Sequence, residues 1–213
     1  MLKLGEVVLK GQNRQSFEDK LLANVRRRVK NCGSFQCSLR QSTIYVEPQK
    51  EDCDMEAALA AAAADIRAAA GPRAPDWARA YAVVEYAVRH WRYCDDGVWS
   101  YTPYGALVDH EAVCMGISLA AQMLMKQMGV PCLYLQGKRR PEDAMGHAWN
   151  LIYCGGWFHL DVTDAVAARD PLAFWGVTAL TDRSLEPGLT LPGPLRCPCP
   201  AEYIKRNGKE TML

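Results

Sequence analysis

The sequence predicts an α+β protein in which a helical part packs on a small antiparallel sheet, preceded by a smaller unit with its own elements. Three observations predict it. The charge splits: residues 1–50 hold ten Lys or Arg against four Asp or Glu, a balance of +6. The remainder holds 15 basic and 20 acidic residues, a balance of −5. Such asymmetry indicates segments with different surroundings. Next, an Ala-rich run from Met55 to Ala70 closes at Gly71-Pro72, with Pro75 just beyond, which marks a boundary. Finally, helical periodicity after Asp76 gives way to three short strand-like runs between Cys132 and Val162. The expected division is a small unit over 1–55, an Ala-rich helical connector over 56–75 and the main domain over 76–213.

Taken in order, Glu6 to Lys10 alternates weakly as a short strand, and Ser16 is placed to cap a helix reaching about Lys30. Phe17, Leu21, Leu22 and Val25 give that helix one apolar face, and Asp19 three residues after Ser16 approximates a capping box. Gln41 to Val46 reads as a strand ending at Pro48. Alanine favours helix, so residues 55–70 are expected to be helical despite offering little large apolar surface. In the main domain, Trp77, Tyr81, Val84 and Ala87/Val88 make a helical stripe, followed by an irregular aromatic stretch from Cys94 to His110. A second helix is expected over about Val113–Met128, ending at Gly129-Val130-Pro131. Strands are then expected at Cys132–Gln136, His147–Tyr153 and Trp157–Val162, with a loop-rich remainder beyond Pro171.

Composition limits the function classes. An apolar content of 49% with 23% charged residues is that of a soluble globular protein, and no run approaches the roughly 18 apolar residues of a membrane span. The opening Met1-Leu2-Lys3-Leu4-Gly5-Glu6 lacks a signal-peptide core, so no membrane partner and a cytoplasmic location are expected. In that compartment the nine cysteines are read mostly as reduced thiols. Cys197-Pro198-Cys199 has one intervening residue, fewer than zinc sites use, so no metal is assigned. Arg26-Arg27-Arg28 with Lys30 forms a basic run, and a weak RNA contact through residues 10–30 is the partner it suggests beside a solvated helix face.

The chemistry-bearing residues lie in the main domain. Cys114 stands at the start of the second helix, where unpaired amides and the helix dipole lower a thiol pKa and can donate to an oxyanion. Gly116 is expected to keep the substrate side of that turn open. His147 can take the thiol proton and return it to a leaving amine. Asp161 lies in the aromatic-rich run Trp157-Phe158-His159-Leu160-Asp161, where a buried carboxylate needs a partner. If a three-residue loop, Cys154-Gly155-Gly156, joins the last two strands, Tyr153 faces Trp157 and Asp161 falls opposite Trp149. His147 is then its diagonal neighbour on the same face, about 7–8 Å away at the backbone. A two-residue loop would put the pair on opposite faces. Trp99, Tyr101 and Tyr104 are candidates for an oxyanion donor, and Trp149 for a wall of the substrate site.

Two resemblances follow from these residues. Gly5-Glu6-Val7-Val8-Leu9-Lys10-Gly11-Gln12-Asn13-Arg14, Phe17-Glu18 and Ser42-Thr43-Ile44-Tyr45-Val46-Glu47-Pro48 resemble the N-terminal ferredoxin-like part of the tRNA 4-thiouridine synthetase family, in truncated form. Over about residues 76–185, Ala112-Val113-Cys114-Met115-Gly116-Ile117-Ser118, Gly129-Val130-Pro131-Cys132, Gly137, His147-Ala148-Trp149-Asn150, Gly156-Trp157-Phe158 and Leu160-Asp161-Val162-Thr163 resemble the transglutaminase-like superfamily. That resemblance implies a papain-like fold with Cys114, His147 and Asp161 as catalytic triad. It also implies acyl transfer from a protein or peptide substrate through a thioester, by hydrolysis or transamidation, without a cofactor. The other reading open to the sequence is an RNA-associated or interaction module whose triad is idle.

Overall fold

The computed structural model describes residues 2–3, 22–23, 26, 35–40, 43–48, 55–97, 99–139 and 146–211. The chain divides into two compact units, Met1–Met55 and Glu56–Leu213.

In the first unit, strands β1 (Leu2–Lys3), β2 (Phe35–Arg40) and β3 (Thr43–Pro48) form an antiparallel sheet in the order β1-β3-β2. β2 and β3 are a hairpin with Phe35 opposite Pro48 and Arg40 opposite Thr43. The expected strand near residue 44 is present and runs on through Pro48. Its partner β2 is a strand the sequence reading passed over, although Phe35, Cys37 and Leu39 alternate with Gln36, Ser38 and Arg40. The strand expected at Glu6–Lys10 lies outside the described residues. So does most of the helix expected from Ser16, of which Leu22, Ala23 and Arg26 are described and helical.

The second unit opens with helix α1 (Met55–Ala70), the Ala-rich run, which buries Ala62, Ala63, Ile66 and Ala70. Arg67 donates to the carbonyl of Gln127 at 3.1 Å, tying α1 to the end of a later helix of the same unit. Helix α2 (Asp76–His90) follows. Its buried face is the small-residue row Ala80, Val83, Val84 and Ala87. Trp77 and Tyr81 flank that row, meeting Tyr203 and Trp175 edge-on at 5.7 and 6.3 Å between ring centroids. Small side chains let helices approach closely, so within the expected stripe Val84, Ala87 and Val88 are buried while Trp77 and Tyr81 form the rim.

After β4 (Arg92–Tyr93), a π-helical turn (Gly105–Asp109) and β5 (Glu111–Ala112), which pairs in parallel with β4, comes helix α3 (Cys114–Gln127). It stops as Gly129 takes φ +72°, and Val130 N–H returns to the Met125 carbonyl at 2.9 Å.

The main sheet has the order β10-β6-β7-β8-β9, antiparallel throughout. Its strands are β6 (Cys132–Lys138), β7 (His147–Tyr153), β8 (Trp157–Leu160), β9 (Trp175–Val177) and β10 (Ser184–Leu185). β7 is central and buried from His147 to Ile152. Side chains alternate across it, so one face meets α3 while Trp149 and Leu151, on the other, pack with Leu135 under Leu180, Leu185, Leu191 and Leu195. The segment beyond Pro171, expected to be loop, therefore supplies a cover for the sheet and both of its edge strands, and closes with helix α5 (Ala201–Thr211).

The Cys154-Gly155-Gly156 turn gives Tyr153 opposite Trp157 and Asn150 opposite Leu160, with Gly155 at φ +77°. This is the longer-loop register expected from the sequence. One boundary differs. The strand ends at Leu160, and Asp161 caps a new helix, α4 (Val162–Ala168), its carboxylate accepting from Asp164 N–H at 3.0 Å. The Asp161-x-x-Asp164 spacing carried that signal. Among the described residues no helix is long and apolar enough to cross a membrane.

Candidate active site

Cys114, His147 and Asp161 converge from α3, β7 and the cap of α4. Two hydrogen bonds fix α3 against β7: Ser118 Oγ donates to the Ala148 carbonyl, and Asn150 Nδ2 donates to the Ser118 carbonyl, each at 3.0 Å. The helix start thereby sits beside the strand start. Asn150 of the His-Ala-Trp-Asn block is thus a brace for the site and is fully buried.

Gly116 does not open the substrate side as the sequence suggested. A Cβ on it would lie 2.5 Å from the Ser100 carbonyl oxygen, 2.7 Å from that of Thr102 and 2.8 Å from Ala112 Cβ. It lets the first turn of α3 lie directly on backbone. Gly116→Ala is expected to cost about 1–3 kcal/mol, as overpacked cores do, and to displace Cys114. Denaturant unfolding, run beside thiol labelling of the same variant, checks both.

No side chain caps α3 at Val113, so its first-turn N–H groups are left to other acceptors, Met115 N–H to the Cys114 sulfur. Burial would raise the Cys114 thiol, but hydrogen bonds from His147 and from the backbone N–H groups of Ala148 and Met115, with the imidazolium charge, hold it below the ordinary value. Four other described cysteines go the opposite way. Burial raises Cys37 and carries Cys132 to about 12. The contact with Cys154 brings Cys199 to about 12, and the bond to Cys199 raises Cys197.

His147 Nε2 lies 2.6 Å from Asp161 Oδ2, which leaves Nδ1 for the thiol. Burial opposes the charged ring, yet hydrogen bonds to Asp161 and Cys114 and the charge of Asp161 bring its pKa to about 9. Asp161 is fully buried, and its N–H donates to the Phe174 carbonyl at 3.2 Å. Burial raises its carboxyl, but the hydrogen bond and charge of His147, the charge of Arg183 and the Asp164 N–H hold it below the usual carboxylate range.

Arg183 is the residue sequence reasoning missed. Its guanidinium bonds Asp161 Oδ2, and also reaches Asp164 Oδ2 at 2.8 Å and Asp182 Oδ2 at 3.1 Å, with the side chain 1% exposed. Nothing in a Pro-rich run after Thr181 marks an arginine for burial. Ligand-type atoms of His147, Asp161 and Asp164 lie within 4.8 Å of one another, a donor set that could hold a cation. The guanidinium bonded to both carboxylates already supplies the positive charge there.

A cleft of about 280 Å³ opens over Cys114 and His147, lined also by Tyr93, Tyr101, Gln136 and Glu186. Of the four aromatic candidates, Tyr101 lines it. Trp99 and Tyr104 pack on each other at 5.6 Å between centroids and do not line the cleft. Trp149 is buried behind it, its ring stacked on His147 at 5.9 Å and its Nε1 donating to His159 Nδ1 at 3.1 Å. Accepting that bond fits a neutral His159, whose pKa burial lowers to about 4.

Comparison with known proteins bears on both units. Residues 1–64 match the ThiI ferredoxin-like domain. A probable tRNA sulfurtransferase of Acetivibrio thermocellus is 41% identical over 59 residues, which are 28% of this chain and 15% of that protein. A solved TGase structure aligns with a TM-score of 0.44 at 14% identity, over 76% of this chain and 49% of that one. A candidate cysteine protease from Cytophaga hutchinsonii aligns at 0.42 and 18% identity, over 68% and 55%. The chain thus spans a small part of the sulfurtransferase and about half of each solved relative. Residues 53–162, just over half of the chain and including Cys114, His147 and Asp161, match the Transglutaminase-like superfamily, and the chain belongs to that superfamily.

Proposed function

We infer that the second unit is a thiol-dependent acyl-transfer enzyme acting on peptide or glutamine-type amides, with Cys114 as nucleophile, His147 as acid and base and Asp161 as its orienter. The observation that carries this reading is the continuous chain of contacts from the Cys114 thiol through His147 to buried Asp161, at the floor of a cleft. In the reaction, the Cys114 thiolate attacks the amide carbon and a C–S bond forms. The first-turn N–H groups of α3, with Gln136 or Tyr101 at the cleft wall, are placed to donate to the oxyanion. The imidazolium gives its proton to the departing amine as the C–N bond breaks, leaving a thioester. Neutral His147 then takes a proton from water or a primary amine, whose attack releases an acid or a new amide and restores the thiol.

The test is iodoacetamide labelling across pH with peptide mapping. Cys114 is expected to react ahead of the other eight cysteines near neutral pH, its acid limb lying below the ordinary thiol range. Labelling at the rate of the other thiols would overturn the reading. Amide turnover should fall as pH rises through about 9, where His147 loses the proton the leaving amine needs, while labelling does not fall. Stability has the same sign. His147 is raised above its unfolded value of about 6.5, so its contribution is complete below that pH and is lost as pH rises through about 9.

A second reading concerns the first unit alone. Its +6 balance and its likeness to the ThiI ferredoxin-like domain favour an RNA partner, with phosphate contacts through residues 10–30. It predicts salt-sensitive tRNA binding that persists in Cys114→Ala, measured by filter binding from 50 to 200 mM salt. Binding indifferent to salt would count against it.

A further inference from the structure

We propose that Arg183 is a positioning residue for His147: it clamps Asp161 so that one carboxylate oxygen is held on the imidazole. The inference rests on reading Cys114, His147 and Asp161 as the reacting groups.

Asp161 is constrained on both oxygens. Oδ1 accepts from Asp164 N–H, while Oδ2 accepts from His147 Nε2 and from Arg183 Nη1. The guanidinium is itself fixed. Its carbon lies over Phe174 at 3.7 Å from the ring centroid and 5.6 Å from that of Trp149, the ring that stacks on His147. Arg183 therefore borders the His147 site by two routes, through the carboxylate and through the Trp149 layer.

Charge makes the clamp necessary. Asp161 and Asp164 bring two carboxylates together, the first fully buried and the second partly so. Without a cation between them, repulsion would protonate one or swing Asp161 off the imidazole. Asp164 is shared with Arg139, whose charge in turn opposes the imidazolium of His147. The charged and titratable groups around His147 are Cys114, Arg139, Asp161, Asp164, Asp182 and Arg183, with Tyr93, Asp95, Tyr101 and Glu186 on the cleft wall and His159 neutral behind Trp149. A lysine could deliver the charge, but not the planar fork that holds two carboxylates at once.

The experiment compares wild type, Arg183→Gln and Arg183→Lys by two readouts: His147 titration and tautomer from long-range ¹H–¹⁵N NMR, and Cys114 alkylation against pH. In Arg183→Gln, the His147 midpoint is expected to fall from about 9 toward the ordinary histidine value of about 6.5. Alkylation at pH 7 should fall about tenfold or more, since a thiol that loses the imidazolium beside it titrates about a unit or more higher and carries that much less thiolate. Arg183→Lys should lie between. A folded Arg183→Gln with the wild-type midpoint, or a higher one, would overturn the proposal. Should Arg183→Gln fail to fold, the lysine variant decides, and wild-type values in it overturn the clamp. A wild-type Cys114 no faster than the other thiols would sink the acyl-transfer reading instead, while the His147 midpoint still scores Arg183.

Discussion

Replacing Cys114 by serine is expected to abolish thioester formation and to lower amide turnover to background, on the order of 10³-fold or more. The site is built to ionise a thiol: three hydrogen bonds and an imidazolium converge on the sulfur. A serine hydroxyl remains protonated there, and Asp161 still favours the charged form of His147, which leaves little neutral imidazole to act as its base. Intact-mass analysis with a glutamine peptide checks this: wild type should show the acyl adduct, with loss of ammonia, and Cys114→Ser should not. Turnover surviving in the serine variant would place the chemistry elsewhere.

His147→Ala is the second large effect. Loss of a positioned acid and base costs about 10²–10⁴-fold. The variant also removes the charge and hydrogen bond that hold the Cys114 thiol down, leaving burial to push it up. Its alkylation profile should therefore move to higher pH, into the range of the buried cysteines. Turnover and profile must change together. A lost turnover with an unmoved thiol profile would make His147 an acid only, with the helix start alone lowering the thiol.

The sheet hairpin was legible because a three-residue Cys154-Gly155-Gly156 turn brings Asp161 to the His147 side, whereas a two-residue turn would put the two on opposite faces. Cys114 was legible from its place at a helix start. Arg183 was not, because its burial depends on Asp161, Asp164 and Asp182 assembling first, a contact 22 residues distant that no local pattern encodes. Gly116 was read for access when its reason is the carbonyl backbone of Ser100 and Thr102, which the irregular aromatic stretch brings in without periodicity. The buried face of α2 was legible in part: Val84 and Ala87 fall on the expected stripe, whereas Ala80 and Val83 do not, since size alone does not distinguish a close helix contact from filler.

Asp161 does two jobs with two oxygens: Oδ1 begins α4, and Oδ2 holds the imidazole. Selection on this codon is therefore double. Under the proposed role, a drift to alanine would cost a helix cap, about 0.5–2 kcal/mol, together with the hold on His147. Asparagine is the isosteric exit, since its carbonyl can still begin the helix while its amide supplies no negative charge. A lineage that abandoned catalysis but kept this fold would be expected to carry asparagine there.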